Sequence, residues 1–397
     1  MLVHMPVDIA LITMSQRMAT GLDSFALIAI PFFILAGNIM NTGGIAKRLI
    51  DFAKVLVGMF PGGLAFVNII ACMLFGAISG SAVAAASAIG GFMHPILKKE
   101  GYDESYAAAV NISSATTGMV IPPSNILIVY SLASGGVSIG ALFMAGYIPG
   151  ILMGLALMIV GGIYAARKGY PSSPRPKLKE AVKSFLNALP SLFLLMVVIG
   201  GIIAGIFTAT EASAIAVVYT LILGFLYKEL SLKKLREVIL KSVNTTSIVA
   251  ILIAASMAMS WMLSYENIPS AVSEILLGVS NNPIVILLII NATLLFVGVF
   301  MDMTPAVLVF TPIFLPVAIE IGIDPIHFGI MMVMNLCIGL CTPPVGSVLF
   351  VGCGVANIGI QRVIRPLIPL FAVLVLVLLL VAFIPELSLW LPRLVGY

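Results

Sequence analysis

Long stretches without an ionisable side chain constrain this chain more than any other feature of its sequence. No Asp, Glu, Lys or Arg occurs between Ser105 and Ala166, and none occurs between Pro366 and Pro385. Soluble domains carry about 25% charged residues, whereas this chain carries 9% and is 61% hydrophobic. Apolar segments of about 20 residues are long enough to cross the hydrocarbon core of a bilayer. The sequence therefore predicts an all-α polytopic membrane protein. The net charge is +4, and the basic residues lie in short loops, so the charge does not indicate nucleic-acid binding.

The sequence repeats internally at an offset of 221 residues. At this offset Pro122-Pro123 aligns with Pro343-Pro344, and Gly118 aligns with Gly339. Further pairs in the same register are Pro95 with Pro316, Gly101 with Gly322 and Asp103 with Asp324. Glycine and proline dictate the path of the backbone, so their recurrence predicts a structural duplication.

The flanking charges indicate that the two copies have opposite orientations in the membrane. Lys54 and Lys98-Lys99 flank the apolar segment at about 61–98, so the positive-inside rule places both of its ends in the cytoplasm. The corresponding segment at about 283–318 has Glu274 and Glu320 near its ends and no Lys or Arg nearby. We therefore expect two re-entrant helical hairpins that enter the membrane from opposite sides.

This threading gives two inverted-topology repeats. The first repeat, 1–166, contains one hairpin and a broken helix at about 104–133. A basic cytoplasmic linker at 167–186 follows, and the second repeat, 187–397, contains the other hairpin and a broken helix at about 325–355. The second repeat begins with two apolar segments that the first lacks, so the N-terminal arm of the first repeat is expected to be missing.

The remaining predicted segments complete the threading. Membrane spans are expected near 24–42, 104–133, 138–166, 187–207, 210–227, 244–264, 325–355 and 366–391. Two short amphipathic helices are predicted, one at Asp8–Thr20 outside the membrane and one at Ser231–Lys241 in the cytoplasm.

Helix breaks occur at four places in this pattern, and they are the candidate binding regions. They are Ser79-Gly80-Ser81, Gly118–Asn125, Asp302–Pro305 and Gly339–Ser347. Unpaired backbone groups are tolerated in a bilayer only where they are buried or line a cavity. Discontinuous helices in inverted repeats are typical of the binding site of a secondary transporter.

The chemistry of these breaks favours both an anion and a cation. Half-helices that begin at Ala82 and Thr304 aim free N–H groups at the break, which suits a carboxylate. The carbonyls of Gly118–Ile121 and Gly339–Thr342 are unpaired in such a break. With the hydroxyls of Ser79, Ser81, Thr304 and Thr342, they form an oxygen cage for a small hard cation.

Two carboxylates interrupt the apolar runs. Asp302 lies in the middle of the second hairpin, where an unpaired charge costs about 2.5–3.5 kcal/mol or more. Cation binding and helix capping with Pro305 both suit it, and the two roles are compatible. Glu211 lies at the junction of two spans, where a capping role is favoured over a site role.

Several motifs resemble those of the large membrane subunit of tripartite ATP-independent periplasmic (TRAP) transporters. They are Leu22-Asp23-Ser24-Phe25, Ala29–Gly37, Phe75–Ser81, Pro122-Pro123-Ser124, Thr210-Glu211-Ala212 and Thr342–Gly346. The resemblance runs the whole length of the chain. It implies the elevator-type ion-transporter superfamily fold and a sodium-coupled importer of small organic anions. It also implies two partners, an extracytoplasmic solute-binding protein and a small four-span membrane subunit, in a bacterial or archaeal cytoplasmic (inner) membrane.

The resemblance also implies site residues. One sodium site would fall on Ser79 and Ser81 with Gly118–Ile121, and a second on Asp302 and Thr304 with Gly339–Thr342. The solute would lie between the hairpin tips, against Ser79, Gly80, Ser81 and Asp302, and touch Ser124, Asn125 and Pro344. Two departures are Ala209, where relatives commonly have Pro, and Tyr265, which replaces a basic residue of many sialic-acid-type members.

Three other functions compete with this one. A dicarboxylate/sodium symporter or an anion exporter of the same superfamily would work without a binding protein. A channel needs a continuous polar pore, whereas the polar patches here are short. An intramembrane enzyme needs a nucleophile paired with a base, and the sequence has no HExxH motif or comparable pair, so we do not expect an enzyme.

Overall fold

The computed structural model describes residues 6–42, 44–172, 176–280 and 282–397, and these residues form eighteen α-helices. No β-strand occurs in the described residues, so the prediction of an all-α protein is confirmed. The helices are α1 (Val7–Leu22), α2 (Ala29–Thr42), α3 (Ile45–Val57), α4 (Gly63–Ser79), α5 (Ala82–Lys99), α6 (Glu104–Thr117), α7 (Asn125–Ala133), α8 (Ile139–Lys168), α9 (Leu178–Ile203), α10 (Ala209–Leu226), α11 (Leu232–Tyr265), α12 (Ile268–Val279), α13 (Pro283–Phe300), α14 (Met303–Glu320), α15 (Pro325–Gly339), α16 (Ser347–Ala356), α17 (Ile360–Phe383) and α18 (Glu386–Val395).

Eight helical segments within the described ranges are long and apolar enough to cross a membrane. They are α2 with the preceding 3₁₀ turn at Phe25–Ile28, and α8, α9, α10, α11, α13, α14 and α17. The chain is therefore a multi-pass membrane protein. The predicted spans at 104–133 and 325–355 each consist of two shorter helices, α6 with α7 and α15 with α16.

The helix pairs α4–α5 and α13–α14 are alike in length and in the break between their helices. α5 and α14 each contain 18 residues, and each follows a two-residue break after the preceding helix. α4 and α5 pack against α6, while α13 and α14 pack against α15, so each helix pair contacts the first half of its own broken helix. This packing places the tip of each helix pair beside the interruption of a broken helix.

Three predicted boundaries differ from the structure. The short amphipathic helix expected at 231–241 is the beginning of α11, a continuous helix of 34 residues. No Gly or Pro lies between Leu232 and Tyr265, so nothing in the backbone ends the helix where the polar face ends. Helix also covers much of the expected linker at 167–186, since α8 ends at Lys168 and α9 begins at Leu178.

The last predicted span, 366–391, is divided in two. α17 ends at Phe383 and α18 begins at Glu386, with Pro385 between them. The backbone nitrogen of a proline carries no hydrogen, and its ring disfavours helix in the residue before it, which explains the interruption. α3 and α12, which precede the two helix pairs, were not predicted from the sequence.

Candidate functional site

A cavity of about 510 Å³ lies where the two helix pairs, the first broken helix and the long helices α2 and α11 meet. Six predicted site residues line it: Ser79, Gly80, Ser81, Asn125, Asp302 and Thr304. They come from breaks that are far apart in the sequence. The fold therefore brings both predicted hairpin tips and the first Pro-Pro break to one place.

The first tip is built around a glycine. Gly80 follows the last residue of α4 with a φ of 61°, in the left-handed region that favours glycine. A Cβ at Gly80 would lie 2.6 Å from Nδ2 of Asn125, so the tip contacts the start of α7 closely. The hydroxyl of Ser81 then caps α5 by accepting a hydrogen bond from the backbone N–H of Ala84 at 3.2 Å.

The amide of Asn125 has unused hydrogen-bonding capacity. Its Oδ1 atom is buried and has no hydrogen-bond partner within the described parts of the chain. A buried amide oxygen without a partner costs about 1–3 kcal/mol. A solute hydroxyl would satisfy this oxygen, and a rotation of the amide would instead present an N–H group to a carboxylate.

The second tip carries the acidic residue of the cavity. Asp302 occupies the N-cap position of α14, but its side chain accepts no capping hydrogen bond. The side chain is exposed at the cavity and forms no ion pair or hydrogen bond with the residues described here. Of the two roles that the sequence left open, capping is thus unused, and the carboxylate faces the cavity.

The electrostatics of the cavity favour an anion with a cation beside it. First-turn residues of α5, α7 and α14 line it, so three helix N-termini lie at its wall. The charged residues among the described lining residues are Lys241 and Asp302. Lys241 and the helix termini would attract a carboxylate, and Asp302 would attract a metal cation.

Five other predicted site residues are not part of the lining, although Met119 and Leu340, which directly follow two of them, line the cavity. Gly118, Ser124, Gly339, Thr342 and Pro344 do not line this cavity. The hydroxyl of Ser124 donates to the carbonyl of Met119 at 2.5 Å, and that of Thr342 donates to the carbonyl of Ile338 at 2.9 Å. Pro344 is exposed and does not line this cavity. The second Pro-Pro break thus contributes less to the cavity than the first.

Gly118 and Gly339 lie in corresponding close contacts. A Cβ on Gly118 would lie 2.5 Å from Cα of Gly76, and a Cβ on Gly339 would lie 2.6 Å from Cα of Gly298. Each contact joins the first helix of a pair to the end of the first half-helix of a broken helix. In this structure both glycines therefore allow close backbone packing.

The two interruptions also differ in their free carbonyls. Among the described residues, the carbonyls of Gly118, Val120 and Ile121 accept no backbone hydrogen bond. In the second interruption, the carbonyl of Gly339 accepts from the N–H of Thr342 at 2.9 Å. The first interruption is therefore the better source of backbone oxygens for a cation.

Comparison with known proteins identifies the chain. Residues 1–387 match the family described as tripartite ATP-independent periplasmic transporter, DctM component. The chain belongs to this family. It is thus a permease subunit of a TRAP transporter and not an enzyme, and the resemblance seen in the sequence is confirmed.

Curated relatives extend along nearly the whole permease. An uncharacterised Salmonella typhimurium protein, YgiK, is 57% identical over 393 residues, which cover 99% of this chain and 90% of the relative. The sialic acid TRAP transporter large permease protein SiaM of Vibrio cholerae is 40% identical, with 96% of this chain and 90% of the relative covered. The C4-dicarboxylate TRAP transporter large permease protein DctM of Pseudomonas aeruginosa is 41% identical, with 94% and 88% covered. These relatives are bacterial, which gives the archaeal alternative no support.

A solved transporter shares the fold of this permease. The crystal structure of the Alcanivorax borkumensis YdaH transporter superimposes with a TM-score of 0.68 at 12% identity. The match covers 94% of the permease and 87% of the YdaH chain. At this identity the likeness concerns the fold alone.

Five polar residues of the permease cavity were not predicted from the sequence: Asn38, Asn41, Ser87, Lys241 and Thr245. Lys241 was assigned to a cytoplasmic amphipathic helix, but the unbroken α11 carries it to the cavity. The amide of Asn38 donates to the hydroxyl of Ser242 at 2.9 Å and joins α2 to α11 beside it. The absence of a helix breaker after Lys241 was the sequence signal that pointed to this placement.

Glu211 has the capping role that the sequence favoured. Its Oε2 atom accepts hydrogen bonds from the backbone N–H and the hydroxyl of Thr208, each at 2.8 Å. The hydroxyl of Thr208 accepts from the backbone N–H of Glu211 at 3.2 Å, which completes a capping box at the start of α10. The prediction for Glu211 is confirmed, and this residue lies outside the cavity.

Proposed function

We propose that this permease imports a small organic carboxylate together with sodium. The observation that carries the proposal is the cavity that Lys241, Asp302 and three helix N-termini line together. A carboxylate at Lys241 would be held by charge-assisted hydrogen bonds, each worth about 1.5–3 kcal/mol. The C4-dicarboxylate named for the Pseudomonas relative is an anion of this class.

The coupling ion in this proposal binds beside the solute. Sodium is a hard cation and prefers oxygen ligands, as calcium and magnesium do. Asp302 and Thr304 supply a carboxylate and a hydroxyl at the second tip, and Ser79 and Ser81 supply hydroxyls at the first. The free carbonyls at Gly118–Ile121 would complete the first site. For the second site, Gly339 and Thr342 would need to exchange their present hydrogen bonds for the ion.

The proposed mechanism is an elevator. The helix pairs α4–α5 and α13–α14 would be re-entrant hairpins and move as one body with the broken helices. α1, α2 and α9–α11 would form the scaffold. The cavity supports this division, because one wall consists of hairpin tips and α7 while the other consists of α2 and α11. Each sodium ion that moves inward gains about 2.3 kcal/mol for each 100 mV of inside-negative membrane potential.

The partners in this proposal follow from the three-part family description. A soluble extracytoplasmic binding protein would deliver the anion, and a small four-span subunit would lie beside the permease in the bacterial cytoplasmic membrane. Uptake that proceeds without the binding protein would favour the stand-alone symporter instead.

The test is sodium-dependent uptake in proteoliposomes. A thermal-shift screen of the cognate binding protein with organic anions first selects the solute. Initial uptake is then measured with and without a sodium gradient for the wild type, Asp302→Asn and Asp8→Asn, the last being an exposed carboxylate on α1. We expect the wild type and Asp8→Asn to require sodium. For Asp302→Asn we expect the stimulation by sodium to fall at least about tenfold, which corresponds to about 1.4 kcal/mol.

Two results would contradict the proposal. Sodium coupling would be excluded if uptake by the wild type were the same with and without a sodium gradient. Unchanged sodium stimulation in Asp302→Asn would remove Asp302 from the ion site and leave the rest of the proposal in place.

A further inference from the structure

A second polar cavity, of about 520 Å³, lies between α1, α11 and the end of α7. Its polar lining comes from two scaffold helices and the loop after α1: Arg17, Thr20, Ser24, Ser260 and Ser264. Arg17 is the charged residue among the described residues that line it. Only 9% of the residues in this chain are charged, so a cavity with one cation and several hydroxyls stands out. Its lining favours an anionic ligand.

Arg17 is available to bind a ligand. Its side chain is exposed, and its guanidinium forms no ion pair or hydrogen bond with any residue that the structure describes. Asp23, the nearest carboxylate along the chain, does not line the cavity. A guanidinium binds a carboxylate or sulfonate through two parallel N–H donors, and nearby hydroxyls add further donors.

The second cavity continues the first along two shared helices. On α7, Val129 lines the first cavity and Leu132 lines the second. On α11, Leu252 lines the first and Ser260 lines the second, which at 1.5 Å per residue places them about 12 Å apart. α11 thus passes along both cavities, with Lys241 at one end and the Arg17 cluster at the other.

Both cavities lie between the same two bodies of the proposed elevator. One wall of each consists of α11 with α1 or α2, and the other wall includes α7. α1 lies on the outer side in the threading from the sequence, whereas Lys241 is close to the cytoplasmic end of α11. If the hairpins and α7 moved along α11, the solute that they carry would lie beside Lys241 at one end of the movement and beside Arg17 at the other.

We propose that Arg17, Ser24, Ser260 and Ser264 form an outer binding station for the organic anion. This inference rests on the proposed function, because it assigns the station to the outward-facing end of the elevator stroke. The station receives the solute carboxylate from the outer side, and Lys241 is its counterpart at the inner end. Only charge-assisted hydrogen bonds form and break there, and no covalent step is involved.

The test uses charged thiol reagents as probes of the station. Ser260→Cys introduces a thiol into the cavity, and the parent chain is the labelling control because its four cysteines are buried. The purified permease is treated with 2-sulfonatoethyl methanethiosulfonate, an organic anion, or with 2-(trimethylammonio)ethyl methanethiosulfonate, a cation. Mass spectrometry gives the two rates of modification, and their ratio reports the preference of the cavity for an anion.

We expect Arg17→Gln to lower the anion-to-cation ratio about tenfold, since a unit charge about 6 Å away in water changes each rate about threefold in opposite directions. Arg17→Lys keeps the charge and should retain most of the ratio. Arg393→Gln is the matched control on α18. It removes the same charge from a residue that is ion-paired with Glu386 at 2.6 Å and does not line the cavity. This control should leave the ratio unchanged.

An unchanged ratio in Arg17→Gln would overturn the station, and so would a thiol at position 260 that neither reagent modifies. Labelling requires neither sodium nor transport, so its outcome is independent of the uptake assay. If Arg17→Gln lowers the anion-to-cation ratio but uptake does not depend on sodium, the proposed function alone would be overturned. If uptake is coupled to sodium but Arg17→Gln leaves the anion-to-cation ratio unchanged, the proposed outer station alone would be overturned.

Discussion

Replacement of Gly118 by alanine tests whether close backbone packing fixes the first hairpin against the broken helix. The φ of Gly118 is −64°, a conformation that alanine adopts freely, so the substitution adds no backbone strain. It adds only a methyl group. That methyl would lie 2.5 Å from Cα of Gly76 and 2.8 Å from the carbonyl oxygen of Cys72.

The loss of folding stability caused by Gly118→Ala follows from these distances. Carbon atoms in contact are normally about 3.5–4.0 Å apart, so α4 and the end of α6 must separate by about 1 Å. Overpacking of this kind typically costs about 1–3 kcal/mol. With an unfolding entropy of about 2.1 cal/mol/K for each of the 397 residues, the melting temperature should fall by about 1–4 °C. Gly339→Ala should give a similar decrease, because its methyl would lie 2.6 Å from Cα of Gly298.

The assay is thermal unfolding of the purified permease in detergent, followed by intrinsic fluorescence. Gly91→Ala and Gly354→Ala are matched controls, since a Cβ at either position has nothing within 4 Å. Both controls lie in helices, where the exchange of glycine for alanine is worth about 0.5–1 kcal/mol, so they should keep or raise the melting temperature. If the melting temperature of Gly118→Ala equals or exceeds that of the wild type, as we expect for the controls, the packing argument is refuted.

Two further predictions concern the cavity. Lys241→Gln should raise the half-saturating anion concentration for uptake about 10–150-fold, because a hydrogen bond to a charged group is worth about 1.5–3 kcal/mol. Lys233→Gln removes the same charge from the same helix outside the cavity, and an equal effect in both variants would speak against a direct contact. Gly80→Ala should abolish most uptake. It places a side chain at a φ of 61°, at a cost of about 1–2 kcal/mol, and a methyl 2.6 Å from Nδ2 of Asn125. Gly91→Ala on the same hairpin should transport normally, and normal uptake by Gly80→Ala would show that the tip tolerates rearrangement.

The sequence predicted the helix breaks well because glycine and proline act locally. Gly80 occupies the left-handed region, and each Pro-Pro pair lies between two short helices, as their chemistry requires. Ser79, Ser81, Asn125, Asp302 and Thr304 could be assigned to one site because they lie at these breaks. Glu211 could be assigned to a cap because Thr208 and Glu211 have the spacing of a capping box.

The sequence was less informative where a residue's role depends on its neighbours in space. Lys241 has the same local context in a surface helix as in a cavity wall, and only the packing of α11 against α2 and α14 distinguishes the two. Gly118 and Gly339 were expected to offer carbonyls, yet the structure also places each against a second glycine, which no local pattern shows.

Local features of the amino-acid sequence were enough to identify an all-α membrane protein with four helix breaks. Apolar length, proline and glycine act within a few residues of their own positions. The packing of the helices is needed to show which interruptions share a cavity, that Lys241 and Asp302 line that cavity together, and that Arg17 lies at a second cavity along the same helix. Such convergence depends on how helices distant in sequence pack together, and that packing is a sum of many contacts across the whole fold.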